Sequence, residues 1–486
     1  MSNTDLNKLV DSGFISRDNL KIDSREVIEG DIFVALKGTA CDGHDFIGEA
    51  LARGAAGVIC EREVPGLLEA DSAKLIKVEN VRRALAQAAK RIFEDPSEKL
   101  EVYGVTGTNG KTTTIFLIDG ILSAAGKNGG LVSTVFTKTF GDAIIRSSMT
   151  TPDAVTLNRL LSEMVSGGKK AVALEISSHA LSQGRTLGIG LDGAVFTNIT
   201  PEHLDYHGNM ENYLRDKSRI FDNLKSGGTG VINLDDPTLK ELKGKLNLPR
   251  LISYGTSPEA DIRAKNIKTG PDGLRFDLVM KDGRGVSISS GLIGRHNVYN
   301  MMAAAAVLSG NGINAEDIKK GLESAQAVPG RMDAVRSGAP FKVFVDYAHT
   351  PNALENALKC LRSIAGRRLI CVFGCGGDRD RAKRPVMGSL ASEICDHVIV
   401  TSDNPRTEDP EDIIRQIEKG MPDNGKYSII LQRREAIRKA LKMADDSDIV
   451  IIAGKGHEDY QIIGEKVLHF DDKEVAGEIL TELGYD

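Results

Sequence analysis

EVYGVTGTNGKTTTIFLIDGILSAAG, residues 101–126, decides the fold class of this 486-residue chain. Its opening residues are almost continuously apolar, the pattern of a strand buried on both faces of a parallel sheet. A glycine- and threonine-rich turn, TGTNGKTTT (106–114), follows, and then a helical pattern. Glycines let backbone N–H groups close around phosphate oxygens. Lys111 supplies a positive charge and Thr112 a hydroxyl for Mg²⁺, and the helix N-terminus adds its partial positive charge. Val105 stands where the common P-loop pattern has its first glycine, with Gly104 and Gly107 on either side. Strand before and helix after make an incidental GKT a poor account of this turn.

The same strand–turn–helix alternation continues outward. Candidate strands are KAVALEIS (170–177), GAVFTNIT (193–200), KVFVDYAH (342–349), RLICVFGCGG (368–377), HVIVTSDNP (397–405) and DIVIIAGKG (448–456). PNALENALKCLRSIAG (351–366) has a helical pattern after the fourth of the series. Alternation of this kind means α/β folds. Each strand ends in polar or glycine-rich sequence, where open parallel sheets bind ligands. Polar EDPSEK (94–99) and VPGRMD (328–333) mark the expected boundaries. They divide the chain into domains 1–98, 99–331 and 332–486.

Composition narrows the function classes. Hydrophobic residues are 41% of the chain, charged residues 27%, and the formal net charge is -6. That balance argues against a dedicated nucleic-acid binder. No apolar run is long enough to cross a bilayer, and MSNTDLNKLVDSG lacks the basic-then-apolar pattern of a signal peptide, so a cytoplasmic protein is expected. The six cysteines, Cys41, Cys60, Cys360, Cys371, Cys375 and Cys395, form no C-x-x-C pair. They are expected to be small buried hydrophobes in a reducing compartment.

Glu175 ends the strand 170–177, and His203 lies just after the strand 193–200. A carboxylate and an imidazole at adjacent strand ends, downstream of a phosphate loop, suit a Mg²⁺ that bridges ATP phosphates. Either residue alone reads as a solvated strand-end acid or a loop histidine. Lys217, in ENYLRDKSRIF, reads from composition alone as a helix-surface lysine.

Taken together, these motifs resemble the Mur ligase family, with folylpolyglutamate synthetase as a relative. TGTNGKTTT looks like that family's own phosphate-loop variant. HLDYHG (203–208), GRHNVYN (294–300), PGRMD (329–333), DYAHTP (346–351), GCGGDRD (374–380), DNPR (403–406) and GKGHE (454–458) match its diaminopimelate-adding branch. DSREVIEGDIFVALKGTACDGHDF (23–46) is similar to its uridine-binding domain.

The resemblance implies three domains: a small N-terminal α/β domain for UDP, a central P-loop ATPase-type parallel sheet, and a C-terminal Rossmann-like domain for the incoming amino acid. It implies that Gly107, Thr108, Asn109, Gly110, Lys111, Thr112, Thr113, Asn297, Arg331 and Asp346 bind ATP. Ser24, Thr150, Thr151, Ser177, Gln183 and Arg185 would hold the UDP-linked substrate. Lys217 would be carbamylated by CO₂ to N6-carboxylysine, becoming an anion that joins Thr112, Glu175 and His203 around Mg²⁺; the reaction needs a neutral amine. Lys111, Glu175, His203 and Lys217 would form the catalytic set.

Substrate choice rests on DNPR. Meso-2,6-diaminopimelate has a second carboxylate where lysine has none, and the planar guanidinium of Arg406 suits it. Asp403 and Glu458 could hold the ammonium. By resemblance Arg379, Asn404, Pro405 and Gly454 complete the pocket, whereas lysine-adding relatives lack the arginine of this motif. Without the other motifs, DNPR is an ordinary strand-end turn.

The implied reaction joins diaminopimelate to the D-glutamate γ-carboxylate of UDP-N-acetylmuramoyl-L-alanyl-D-glutamate, through an acyl phosphate formed from ATP. It belongs to peptidoglycan synthesis and so to cell-wall biogenesis, cell shape and division. No side-chain nucleophile is required and no serine–histidine triad is evident; His207 and His349 are candidates for handling a proton. A monomer is expected, with the C-terminal domain closing to exclude water during turnover. Two rival readings are a lysine-adding or folylpolyglutamate-forming relative, and a nucleotide-dependent binding protein without catalysis. Arg406 argues against the first and the set Lys111, Glu175, His203 and Lys217 against the second.

Overall fold

The computed structural model describes residues 3–38, 41–62, 67–141, 144–147, 149–422 and 425–485. It is an α/β protein with three main sheets. The chain divides into two compact units: Met1–Arg263 with Leu278–Val286 and Tyr299–Leu322, and Ala264–Asp277 with Ser287–Val298 and Glu323–Asp486.

In the first unit, four short parallel strands, Leu20–Lys21, Ile32–Val34, Gly57–Cys60 and Leu75–Lys77, form a small N-terminal sheet. A larger sheet follows. Those of its strands that lie wholly in this unit run in the order Leu251–Gly255, Leu224–Asn233, Leu191–Phe196, Glu101–Thr106, Ala171–Glu175, Gly129–Val132, Phe136–Lys138 and Ile144–Arg146. Pairing is parallel as far as Gly129–Val132 and antiparallel beyond it. The phosphate-loop strand Glu101–Thr106 therefore lies between Leu191–Phe196 and Ala171–Glu175. That arrangement delivers the ends of three expected strands to one edge.

Each central strand is buried because its side chains alternate between two packed faces. Val102, Leu174, Ile176 and Phe196 meet Leu157, Leu161 and Met164 in one core. The latter three lie on the helix Ala154–Ser166, whose first turn is capped by the Asp153 carboxylate accepting from Val155 and Thr156 N–H. Asp is favoured there because it satisfies otherwise orphaned N–H groups.

In the second unit the sheet order is Asp333–Val335, Lys342–Asp346, Ile449–Ala453, Leu369–Phe373, His397–Val400 and Tyr427–Ile429, all parallel except the first pair. Phe344, Cys371, Phe373 and Ile451 pack on one face with Leu354, Leu358 and Ile413. Val343, Ile370, Val372 and Val450 pack on the other with Ile437, Leu441 and Ile479. Two-sided burial explains why these runs are apolar throughout. The strand Ile449–Ala453, the last of this sheet in chain order, inserts between the first and second parallel strands, so the loops 346–350, 374–380, 401–406 and 454–458 leave the same edge.

Strands are present at all seven expected places, shorter than their apolar runs. Among the described residues no helix is long and apolar enough to cross a membrane. Cys41 is exposed, contrary to the expectation of burial; it lies outside any strand or helix. Cys360 is only partly buried, while Cys60, Cys371, Cys375 and Cys395 are buried.

Candidate active site

The phosphate loop is shaped by backbone contacts that only glycine permits. Gly107 has φ 145°, and a Cβ there would lie 1.9 Å from Thr197 Oγ1. Gly110 has φ 85°, and a Cβ there would lie 2.3 Å from Asn300 Oδ1. Both are conformations that L side chains rarely adopt. Asn198 clamps the loop from the neighbouring strand: its Oδ1 accepts from Asn109 N–H at 2.9 Å and its Nδ2 donates to Asn109 O at 3.0 Å. Thr108 Oγ1 lies 3.2 Å from Tyr213 Oη. Asn198, Asn300 and Tyr213 were not among the expected site residues. TNIT ends a sheet strand and GRHNVYN holds two asparagines, so position was the available signal for Asn198 and Asn300.

Two lysines converge on this loop. Lys111 Nζ donates to Gly107 O at 3.0 Å and Thr108 O at 2.8 Å. Lys217 Nζ donates to the same Gly107 carbonyl at 2.8 Å and sits 4.7 Å from the centre of the Tyr213 ring. The surface position that composition suggests for Lys217 is therefore wrong: the side chain is 1% exposed. Its helix, Met210–Ser218, turns Tyr213 and Lys217 inward together at i and i+4. Burial, and then the neighbouring Lys111 charge, push the Lys217 amine well below its ordinary pKa, with Glu202 opposing.

Glu175 is 2% exposed. Its Oε1 accepts from Thr112 Oγ1 at 3.1 Å, and its Oε2 from Thr134 N–H and Oγ1 at 3.0 and 3.1 Å. Thr112 and Glu175 thus place hard oxygens beside one another where the loop ends. His203 occupies the left-handed region, φ 54°, at the start of the short helix Leu204–His207. Burial lowers its pKa; Glu202 opposes, while Lys111 and Lys217 lower it further, which sets the ring within their field. Among the described residues no three His, Cys, Asp or Glu side chains converge as a metal cluster.

Beside this lies a connected polar network. Thr134 Oγ1 lies 3.1 Å from Thr150 Oγ1. Thr151 Oγ1 donates to Glu175 O at 2.8 Å and accepts from Ser177 N–H at 3.0 Å. Arg185 donates to Thr151 O at 2.9 Å and to Gln183 Oε1 at 3.0 and 2.7 Å. Five of the expected UDP-substrate residues are therefore linked. Ser24 is apart from them; its hydroxyl donates to Glu49 at 3.1 Å.

A serine–histidine–aspartate series, absent from the sequence reading, is present nearby. His207 Nε2 lies 3.1 Å from Ser178 Oγ, and Nδ1 lies 2.9 Å from Asp216 Oδ2. All three side chains are buried. The series ties the helix Ser178–Ser182 to the helix carrying Lys217, and it leaves neither ring nitrogen of His207 for a proton on substrate.

The second unit carries its own set. Arg331 lies 5.0 Å from the Tyr347 ring centre. Its Nε is buried and, among the described residues, without a hydrogen-bond partner. Asp346 Oδ2 accepts from Met332 N–H at 2.7 Å; burial raises its pKa, with Arg331 opposing. Asn297 Nδ2 donates to Ile293 O at 2.8 Å. His349 Nδ1 lies 2.8 Å from Tyr347 O.

Asn404 Nδ2 donates to Glu458 Oε2 at 2.8 Å, and Asn404 Oδ1 accepts from Ile462 N–H at 2.9 Å. Asp403 Oδ2 would lie 2.7 Å from a Cβ at Gly454, so glycine leaves room for that carboxylate. Arg406 has φ 52°, and its Nη1 donates to Gly377 O at 2.8 Å. Arg379 Nη1 donates to Asp378 O at 3.0 Å. Burial raises the Glu458 pKa, with Lys455 opposing; Lys455 Nζ lies 3.6 Å away. The arrangement gathers two carboxylates and a guanidinium where two loops meet.

Comparison with known proteins gives a consistent picture. Three family models match: "Mur ligase family, catalytic domain" over residues 18–92, "Mur ligase middle domain" over 105–308, and "Mur ligase, glutamate ligase domain" over 330–456. A relative from Solibacter usitatus, named UDP-N-acetylmuramoyl-L-alanyl-D-glutamate–2,6-diaminopimelate ligase, is 45% identical over 96% of this chain and 94% of its own. One of the same name from Geobacillus kaustophilus is 44% identical over 96% and 95%. A solved structure of a ligase with that name is 35% identical, with a TM-score of 0.69, over 96% of this chain and 95% of its own.

Proposed function

The chain belongs to the Mur ligase family, and from that premise we propose that it is the ATP-dependent ligase joining meso-2,6-diaminopimelate to the D-glutamate γ-carboxylate of UDP-N-acetylmuramoyl-L-alanyl-D-glutamate. The single observation that carries this reading is the convergence of Lys111 and Lys217 on the Gly107 carbonyl at 3.0 and 2.8 Å. A phosphate loop alone needs only the first of these lysines.

The chemistry follows from the weakness of a carboxylate as an electrophile. Its oxygen attacks the ATP γ-phosphorus, the bond to ADP breaks, and an acyl phosphate forms. The diaminopimelate amine then attacks the acyl carbon, loses a proton, and expels phosphate. The glycine-shaped loop N–H groups and Lys111 orient the triphosphate and offset the charge gathering on the transferring group. Burial and the Lys111 charge push Lys217 toward the neutral form, the form that adds CO₂ to give a carbamate. Mg²⁺ would be held by Thr112, Glu175, His203 and carbamylated Lys217, and when bound it supplies neutralising charge at the phosphates. Ser24, Thr150, Thr151, Ser177, Gln183 and Arg185 are assigned to the UDP-linked substrate. Asn297, Arg331 and Asp346 are assigned to the nucleotide, and the unpartnered Arg331 Nε supports its part.

Acceptor recognition is assigned to Arg379, Asp403, Asn404, Pro405, Arg406, Gly454 and Glu458. Arg406 would take the distal carboxylate with two parallel N–H bonds, and the carboxylates the distal ammonium. We place this activity in three domains, 1–98, 99–331 and 332–486, in a monomeric cytoplasmic enzyme of peptidoglycan synthesis. Oxygen-18 placed in the γ-carboxylate tests the scheme. An acyl phosphate transfers one labelled oxygen to the released phosphate; amide formation with unlabelled phosphate would exclude it.

A further inference from the structure

We infer that the ion pair between buried Arg384 and partly buried Glu408 is the positioning element that aims Arg406, and so sets acceptor selectivity; this rests on the reading of Arg406 as the carboxylate-binding residue. Arg384 is on the helix Lys383–Ile394 and is 0% exposed. Its Nη1 donates to Glu408 Oε2 at 2.9 Å and Gln416 Oε1 at 2.8 Å. Its Nη2 donates to Glu408 Oε1 at 2.9 Å and Gly376 O at 3.1 Å. Glu408 Oε1 also accepts from Asp378 N–H at 2.6 Å. One guanidinium and one carboxylate therefore fasten four pieces of chain: the helix Lys383–Ile394, the loop 374–380, the turn after DNPR and, through Gln416, the helix Pro410–Glu418. Forked pairing of this kind fixes direction as well as distance.

The two loops so joined are in contact along their length. Gly377 N–H donates to Asn404 O at 2.9 Å, and a Cβ at Gly377 would lie 1.9 Å from Pro405 O. The Asp378 carboxylate accepts from Thr407 N–H at 3.2 Å and Thr407 Oγ1 at 2.7 Å. Arg406 lies between these ties, in the left-handed region, with its guanidinium resting on Gly377 O. Its aim is thus set by the height of the loop 376–378, and that height by Arg384 and Glu408. The strands beneath end at Phe373 and Val400, so the pair holds the loops rather than the sheet. Arg384 holds the Glu408 carboxyl at about 2, in keeping with an ion pair that persists across the working pH range.

The test is steady-state kinetics of Glu408→Gln, with Asp378→Asn as a milder variant on the exposed side of the same joint. Asparagine tolerates the left-handed backbone of Asp378, φ 54°. The inference predicts that Glu408→Gln raises KM for diaminopimelate about 10-fold, the effect of weakening one charge-assisted hydrogen bond. The kcat at saturating amino acid and KM for ATP stay within about twofold. If Glu408→Gln does not fold, Asp378→Asn carries the test, with a KM for diaminopimelate raised about threefold. An unchanged KM for diaminopimelate, or parallel loss in kcat and in KM for ATP, overturns the inference. Wild-type protein that does not use diaminopimelate at all sinks the underlying substrate reading instead.

Discussion

The phosphate loop and the DNPR turn are both polar connections at the carboxyl ends of parallel strands, yet they differ in what sets their shape. The first is shaped by glycines at φ 145° and 85° and by bonds to its own backbone carbonyls. The second is held by side chains distant in sequence, Asn404 on Glu458 and Arg384 on Glu408, with the non-glycine Arg406 at φ 52°. A backbone-built site presents the same N–H groups to any triphosphate. A side-chain-built site changes its preference when one residue changes, which suits the part of a ligase that chooses the acceptor. Activation of the carboxylate and choice of the amine thus fall on differently constructed regions.

The largest effect expected is on activation. Lys217→Ala should lower kcat about a thousandfold, the scale of losing a preorganised charge-stabilising group. Added formate or acetate should restore part of it in steady-state assays. Full activity without any added carboxylate would remove the carbamate from the scheme. Next comes the acceptor side: Arg406→Lys should lower kcat/KM for diaminopimelate about 10- to 100-fold, as one of two charge-assisted bonds is lost. KM for ATP should stay put. If it shifts equally, the two regions are not separable as described.

Asn198→Ala probes the boundary of the comparison, since it supports the backbone loop with a side chain. Loss of its two bonds to Asn109 should raise KM for ATP about 10-fold and leave diaminopimelate KM unchanged. The smallest effect is on pH. Burial raises the Glu458 pKa, so its anion is lost on acidification at a higher pH than an ordinary glutamate's. KM for diaminopimelate should therefore rise severalfold on the acid side. Because the folded state binds this proton more tightly than the unfolded chain, the same acidification costs no stability through Glu458. A KM that is flat with pH, or that falls on acidification, would take Glu458 out of ammonium binding.

The same contrast explains what was legible in the sequence. Runs such as 369–373 and 449–453 are apolar throughout because each is packed on both faces, so their strands stood out. The N-terminal strands of two to four residues, such as Leu20–Lys21, are too short to show a period. Strand Gly273–Val279 alternates buried and more exposed residues and was also missed. Lys111 and Thr112 were readable because the loop is local. Lys217 was readable only through the family resemblance, since a polar helix gives no sign of which lysine turns inward until Tyr213 and Gly107 are in place. Ser178, His207 and Asp216 lie on three elements, and only folding brings them into register.

The most direct test of the central claim is kcat/KM for diaminopimelate and for lysine, measured side by side with ATP, Mg²⁺ and the UDP-linked dipeptide. The account predicts at least about a hundredfold preference for diaminopimelate, as expected where a charged site rejects an analogue that leaves it unpaired. Equal use of the two, or preference for lysine, would contradict it.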